Sequence, residues 1–136
     1  MIKNPSRDEI GRILKENKRI AVVGLSADPD RTSYMVSKAM QEAGYEIIPV
    51  NPMIEEALGV KAVPDLMSIQ GPVDIVNVFR RSEFLPEIAE DFLKTDAKIF
   101  WSQLGVVHED TFEMLKEKGC TVIMDRCIKV EHAITK

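Results

Sequence analysis

The sequence lacks the features that mark membrane, secreted and nucleic-acid-binding proteins. No apolar run approaches the roughly 20 residues of a membrane span. The N-terminal segment M-I-K-N-P-S-R-D-E-I has neither the apolar core nor the cleavage site of a secretory signal. The net charge is −4, and basic residues are interleaved with acidic ones, which disfavours a nucleic-acid-binding face. We therefore expect a cytoplasmic protein that binds neither membranes nor nucleic acid.

The chain is also poor in residues that bind metals or form catalytic sites. It has two cysteines and two histidines, without a C-x-x-C pair or a histidine cluster, so we expect no metal site. His108 and His132 have no serine or cysteine partner at a readable spacing. We therefore assign no catalytic residue.

The chain does contain aliphatic segments separated by turn residues, which can form the strands and helices of a globular core. The length of 136 residues predicts a single domain, residues 1–136, with enough apolar surface for a core. Strands and helices alternate about six times with short connections, which is typical of α/β proteins. We predict a Rossmann-like, open and mostly parallel sheet with helices on both faces.

The expected elements follow from apolar periodicity, capping residues and turn signals. The predicted strands are 19–25, 46–50, 73–79, 98–101 and 121–124, with a minor strand near 60–63. Helices are predicted from a Ser6 cap to about Asn17, from residue 32 or 33 to 43, after a Ser82 cap, and over 108–118. Residues 125–136 are expected to form a polar tail.

The stretch from Arg19 to Met40 predicts an anion-binding site. An apolar strand ends at Gly24, a loop follows, and an amphipathic helix begins near Thr32. In βαβ units this arrangement points the first N–H groups of the helix at an anion beyond the strand end. A phosphate-bearing ligand is therefore expected.

The usual dinucleotide and nucleoside triphosphate motifs are missing. Ser26 and Pro29 occupy the second and third glycine positions of G-x-G-x-x-G, and no G-K-[ST] sequence occurs. The next strand ends in Val50-Asn51-Pro52, without the acidic residue that would hold the ribose of NAD. NAD is therefore disfavoured.

Five segments resemble the single-domain CoA-binding proteins. They are V-V-G-L-S-A-D-P-D-R-T-S-Y, I-I-P-V-N-P, D-I-V-N-V-F-R-R-S, W-S-Q-L-G-V and M-D-R-C. The family is similar to the N-terminal CoA-binding domain of the succinyl-CoA synthetase α subunit. The resemblance implies CoA as the ligand, and its 3′-phosphate agrees with the lack of an acidic residue after Val50. The synthetase carries its phosphorylated histidine in a second domain, so the resemblance implies binding without a reaction.

The resemblance assigns the loop 24–34 to the CoA diphosphate, with Arg31 as an electrostatic clamp, and the other strand ends to adenosine and pantetheine. The candidate ligand-binding residues are Gly24, Ser26, Arg31, Thr32, Ser33, Tyr34, Asn51, Pro52, Phe79, Arg80, Ser102, Gln103 and Arg126.

Several residues have two interpretations. One of Arg80 and Arg81 is expected to meet phosphate while the other pairs with Glu83. Trp101 belongs either to the core or to the wall of the site. Cys120 is interpreted as a small buried residue, and Cys127 is expected at the ligand edge as a structural or reactive thiol.

Three functions agree with these patterns. The first is a module that binds CoA or an acyl-CoA through the loop and helix start. The second is an enzyme that acts on acyl-CoA or another nucleotide. The third is a subunit that docks on a larger CoA-ligase-like complex, or a homo-oligomer.

Overall fold

The computed structural model describes residues 2–136, which form five α-helices, a five-stranded sheet and a two-stranded hairpin. The helices are α1 (Arg7–Glu16), α2 (Thr32–Glu42), α3 (Leu85–Leu93), α4 (Glu109–Glu117) and α5 (Ile128–Thr135). The strands are β1 (Arg19–Val23), β2 (Glu46–Val50), β3 (Glu56–Ala57), β4 (Val60–Lys61), β5 (Ile75–Val78), β6 (Ile99–Ser102) and β7 (Thr121–Ile123). None of the helices within 2–136 is long and apolar enough to cross a membrane.

The main sheet has the order β2-β1-β5-β6-β7, and all of its neighbouring strands are parallel. In its register, Val23 lies opposite Val50 of β2 and Val78 of β5. The chain builds outward from β1 to β2, then returns to the other side of β1 with β5. The strand order therefore reverses between β1 and β5, where open α/β sheets bind their ligands.

Helices cover both faces of this sheet, which confirms the predicted α/β fold. Ala21 and Val23 of β1 pack in one buried cluster with residues of α3 and α4. Ile20 and Val22 pack in a second cluster with residues of α1, α2 and α5. Because successive side chains of a strand point to opposite faces, burial on both faces explains the continuous apolar run of β1.

The first helix begins as its capping pattern predicts. The Ser6 hydroxyl accepts a 3.2 Å hydrogen bond from the Glu9 N–H group. Ile10 and Leu14 form its buried stripe. The local signal and the tertiary packing therefore agree in α1.

The predicted polar tail is wrong, because α5 occupies most of it. The side chain of its N-cap residue, Cys127, forms no capping hydrogen bond, so the sequence has no capping motif that would predict this helix. Ile128 and Glu131 are buried, and α5 contacts both α1 and α2. Tertiary packing stabilises a short helix that its local sequence does not mark.

The predicted helix cap at Ser82 is also wrong. A 3-10 turn spans Ser82–Phe84 before α3 begins at Leu85. The Ser82 hydroxyl accepts a 2.9 Å hydrogen bond from the Val107 N–H group instead. Ser82 thus joins the segments that follow β5 and β6.

Near residues 60–63, the minor strand is one arm of a hairpin. β4 pairs with β3 in antiparallel register, and Val63 forms a parallel bridge with Val50. The helical turn predicted in L-M-S-I is a 3-10 turn, Leu66–Ser68. These segments extend the chain beside the end of β2.

Candidate functional site

Three adjoining clefts lie where β1, β2, β5 and β6 end. The loop cleft has a volume of about 590 Å³ and is lined by Ser26, 30–33 and Ile54. The β2 cleft has a volume of about 530 Å³ and is lined by Val23, Val50, Pro52, 64–66, Glu87, Ile88 and Asp91. The β6 cleft has a volume of about 680 Å³ and is lined by Arg81, Ser82, 103–106 and Cys127. The loop and β2 clefts share Gly24, Asn51 and Met53. Thr32 and Phe79 line both the loop and β6 clefts, and Arg80 lines the β2 and β6 clefts. The three clefts therefore form one continuous groove across the switch point of the sheet.

Gly24 lies at the centre of this groove. Its φ is +88°, and its N–H group donates a 2.9 Å hydrogen bond to the Val50 carbonyl. A Cβ atom added there would lie only 2.6 Å from the Phe79 carbonyl oxygen. Glycine is therefore required both by the backbone conformation and by the close approach of the chain after β5.

The loop after β1 is held by its own hydrogen bonds. The Ser33 hydroxyl accepts a 3.0 Å hydrogen bond from the Ser26 N–H group, and the Ser26 hydroxyl accepts one of 3.0 Å from Asp28 N–H. The Arg31 N–H group donates to the Asp28 carbonyl at 3.0 Å. Both predicted hydroxyls thus shape the loop, and Ser33 is buried with its oxygen beside the start of α2.

The N-terminus of α2 opens into the loop cleft without a side-chain cap. Arg31 occupies the N-cap position, and the first turn contains no acidic residue. Thr32 and Arg31 are exposed and line the cleft. The partial positive charge of the helix end and the Arg31 guanidinium therefore favour an anion, whereas the Asp30 carboxylate lines the same cleft and opposes it.

Asn51 joins the ends of β1 and β2. Its side-chain amide donates a 3.0 Å hydrogen bond to the Leu25 carbonyl, and its side-chain oxygen accepts one of 2.9 Å from Met53 N–H. Pro52 follows on the exposed rim of the β2 cleft. Asn51 thus fixes the boundary between the loop cleft and the β2 cleft.

The two arginines after β5 have different surroundings. The guanidinium of Arg80 lies 4.4 Å from the centre of the Phe84 ring, and its side chain lines two clefts. Arg81 forms a 3.4 Å ion pair with Glu83 and is 80% exposed. The sequence left these roles open, and the structure gives Arg81 the partner Glu83 and Arg80 the more central place in the groove.

The segment at the end of β6 contributes one predicted residue to the groove. Gln103 lines the β6 cleft, and its side-chain amide donates a 2.7 Å hydrogen bond to the buried Asn77 side chain. Ser102 is fully buried, and its hydroxyl donates to the Val106 carbonyl at 2.6 Å. Trp101 is a core residue whose indole N–H donates to the Arg126 carbonyl at 2.8 Å.

Two further candidates lie outside the lining of the groove. Tyr34 lines a separate cleft between α2 and the β3–β4 hairpin. The half-buried Arg126 donates from its guanidinium to the neighbouring Asp125 carbonyl at 3.1 Å. Of the two cysteines, Cys127 lines the β6 cleft and Cys120 lies outside the groove. Burial raises the pKa of the partly buried Cys120 thiol.

Carboxylates of the β2 cleft are the main feature that sequence reasoning missed. Asp65, Glu87 and Asp91 line this cleft, and Asp65 also accepts hydrogen bonds from the backbone and hydroxyl of Ser68. Glu87 and Asp91 lie four residues apart and so share a face of α3. That spacing was a visible signal, but only the fold places α3 beside β2. Within residues 2–136, no group of three or more His, Cys, Asp or Glu residues is suited to hold a metal ion.

Comparison with a family model gives a match over most of the chain. The family is described as the CoA binding domain, and the matched segment is residues 18–133. The chain is also similar to an uncharacterized protein of Bacillus subtilis, YneT, with 70% identity over 135 residues that cover 99% of this chain and 100% of that protein.

More distant relatives share the fold or part of the sequence. A solved protein of Thermus thermophilus is 35% identical, with a TM-score of 0.93 over 97% of this chain and 100% of that chain. The α subunit of ADP-forming acetate–CoA ligase II of Pyrococcus furiosus is 38% identical over 69 residues. That match covers 50% of this chain and 15% of the subunit, so the two proteins share a segment only.

Proposed function

This chain belongs to the CoA binding domain family, and on that premise we propose that it binds CoA or an acyl-CoA across the carboxyl edge of its sheet. The observation that carries the proposal is the uncapped start of α2, which opens into the centre of a continuous groove. The diphosphate lies in the loop cleft, against the first N–H groups of α2 and the Arg31 guanidinium. Gly24 allows the ligand to approach the backbone closely.

The adenosine half of the ligand lies in the β2 cleft. Nucleotide-binding sheets of this type hold the ribose of the first half near the end of the second strand. Met53 and Pro64 supply exposed apolar surface for the base, and the nearby carboxylates accept hydrogen bonds from its exocyclic amine. The same carboxylates repel the 3′-phosphate, which is therefore directed toward Arg80.

The pantetheine arm lies in the β6 cleft. Thr32 and Phe79 line both this cleft and the loop cleft, so the arm passes directly from the diphosphate into it. Cys127 lies in the lining at this end of the groove. We assign no reaction, because the groove contains no nucleophile hydrogen-bonded to a general base among residues 2–136.

Calorimetric titration with CoA, NAD and ATP tests the proposal. We expect CoA to bind at least about tenfold more tightly than NAD, a difference of about 1.4 kcal/mol. The reason is that CoA carries a 3′-phosphate, which NAD lacks, and the Arg80 guanidinium lines the cleft to which the ribose is assigned. Equal affinities, or binding of NAD alone, would overturn the assignment to CoA.

A further inference from the structure

The β6 cleft differs in chemistry from the β2 cleft at the other end of the groove. Phe79, Leu104, Val106 and Cys127 give it apolar surface, and no carboxylate lines it. The β2 cleft has three lining carboxylates. The volume of the β6 cleft, about 680 Å³, is in the range of small-molecule sites. The end of the groove assigned to pantetheine is therefore suited to an apolar group.

Leu104 is 71% exposed on a turn that is firmly held. The neighbouring Gly105 N–H group donates a 2.7 Å hydrogen bond to the Asp125 carboxylate. Val106 N–H donates to the Gln103 carbonyl at 2.9 Å. These two bonds hold the backbone of the turn, so covering Leu104 with a ligand costs little free energy for ordering this segment.

Two polar side chains of this cleft, Gln103 and Ser82, are already engaged within the protein, and Arg80 and Arg81 line it as well. The Gln103 amide donates to Asn77, and the Ser82 hydroxyl accepts from Val107 N–H. A polar ligand terminus would have to compete with these bonds, whereas an apolar one leaves them intact. The cleft therefore favours an aliphatic group over a bare thiol.

We propose that the preferred ligand is an acyl-CoA with a short aliphatic acyl group, which packs in the β6 cleft against Leu104 and Val106. This inference rests on the proposed CoA site and names the form of the ligand. The thioester follows the pantetheine arm, so its acyl chain occupies the space beyond the position of the free thiol. Burial of each added methylene group then increases affinity.

The test is calorimetric titration with CoA, acetyl-CoA, butyryl-CoA and hexanoyl-CoA. Full burial of a methylene group is worth about fourfold in affinity, and a cleft open to solvent gives about half of that free energy, or about twofold. We therefore expect affinity to rise along the series, with hexanoyl-CoA at least about 16-fold tighter than CoA, because its acyl chain has four methylene groups. In the Leu104→Ser variant, this ratio should fall by about half or more.

Ile134→Ser is the matched control, because Ile134 is a 51% exposed apolar residue near the far end of α5. It should keep the wild-type ratio of hexanoyl-CoA to CoA affinity. Failure of every ligand, CoA included, would refute the proposed function itself. Binding of CoA without a gain for acyl-CoA would overturn only the acyl preference. A gain that is undiminished in Leu104→Ser would also overturn it, because the acyl group would then lie outside the β6 cleft.

Discussion

Arg31 contributes its side chain to the groove, whereas Gly24 contributes its backbone. Arg31 presents a charged side chain that is exposed and forms no hydrogen bond or ion pair elsewhere within residues 2–136. Gly24 contributes the absence of a side chain, at a point where two stretches of backbone meet. Substitution of the first should therefore affect binding alone, and substitution of the second should affect folding as well.

For Arg31→Ala, we expect CoA affinity to fall by about 1.5–3 kcal/mol, the range for a hydrogen bond to a charged group. The free energy of unfolding should stay within about 0.5 kcal/mol of wild type, as is usual for exposed side chains. Calorimetry and urea denaturation measure the two quantities. Arg12→Ala, on an exposed turn of α1, is the matched control and should bind CoA normally. Normal binding by Arg31→Ala would remove this side chain from the site.

For Gly24→Ala, we expect a loss of stability that exceeds that of Gly119→Ala by about 1–3 kcal/mol, the usual penalty for overpacking. Gly119 has nearly the same φ, +85°, but a Cβ atom there meets nothing within 4 Å. The pair therefore separates backbone strain from the contact with the Phe79 carbonyl. Urea denaturation gives both free energies of unfolding, and equal losses would show that this contact is relieved without strain.

Among the elements, α5 extends from the β6 cleft to the helices α1 and α2 on one face of the sheet. It begins next to Cys127 in the β6 cleft and packs along α1 and α2. His132, near its end, lies edge-on to the Tyr45 ring with the ring centres 5.5 Å apart. The Lys18 ammonium lies 4.4 Å from the centre of the same ring. The docking of α5 thus includes a titratable group close to a fixed positive charge.

Stability should fall in mild acid because of His132. Burial, and then the charges of Lys136 and Lys18, lower its pKa in the folded protein below the ordinary value of about 6.5. In mild acid, the unfolded chain therefore binds more protons than the folded protein. The contribution of His132 to the free energy of unfolding is complete above about pH 6.5 and is lost as the pH falls through the lower pKa of the folded state.

Urea denaturation between pH 7.5 and 5.5 should show a smaller acid-induced loss of stability in His132→Gln than in wild type. Carboxylates titrate mainly below this window, so the comparison isolates the imidazole. An identical loss in both proteins would mean that His132 does not cause the acid sensitivity.

At the scale of the whole molecule, the sequence was sufficient for the sheet and for the centre of the groove. The apolar segments of β1, β2 and β5 are short and bounded by turn residues, which favours strands covered on both faces over buried helices. Gly24 and Arg31 could be predicted at this edge of the sheet because both lie in the loop between β1 and α2. The match with the CoA binding domain family confirms the resemblance on which the ligand was predicted.

Features that depend on packing between distant segments could not be predicted. Glu87 and Asp91 reach the β2 cleft only because α3 packs against the 3-10 turn Leu66–Ser68, which belongs to an earlier segment of the chain. Helix α5 lacks a capping motif and forms where α1 and α2 offer it a surface. No local pattern contains such information, since the stabilising contacts come from elsewhere in the chain.

Trp101 gives this molecule an internal optical probe. It is the single tryptophan of the chain, it is fully buried, and its indole N–H bonds to the Arg126 carbonyl just before α5. Indole emission depends on the polarity and hydrogen bonding around the ring. The fluorescence spectrum therefore reports whether the segment that carries Cys127 stays packed against β6. No label has to be introduced, and the probe is buried in the core.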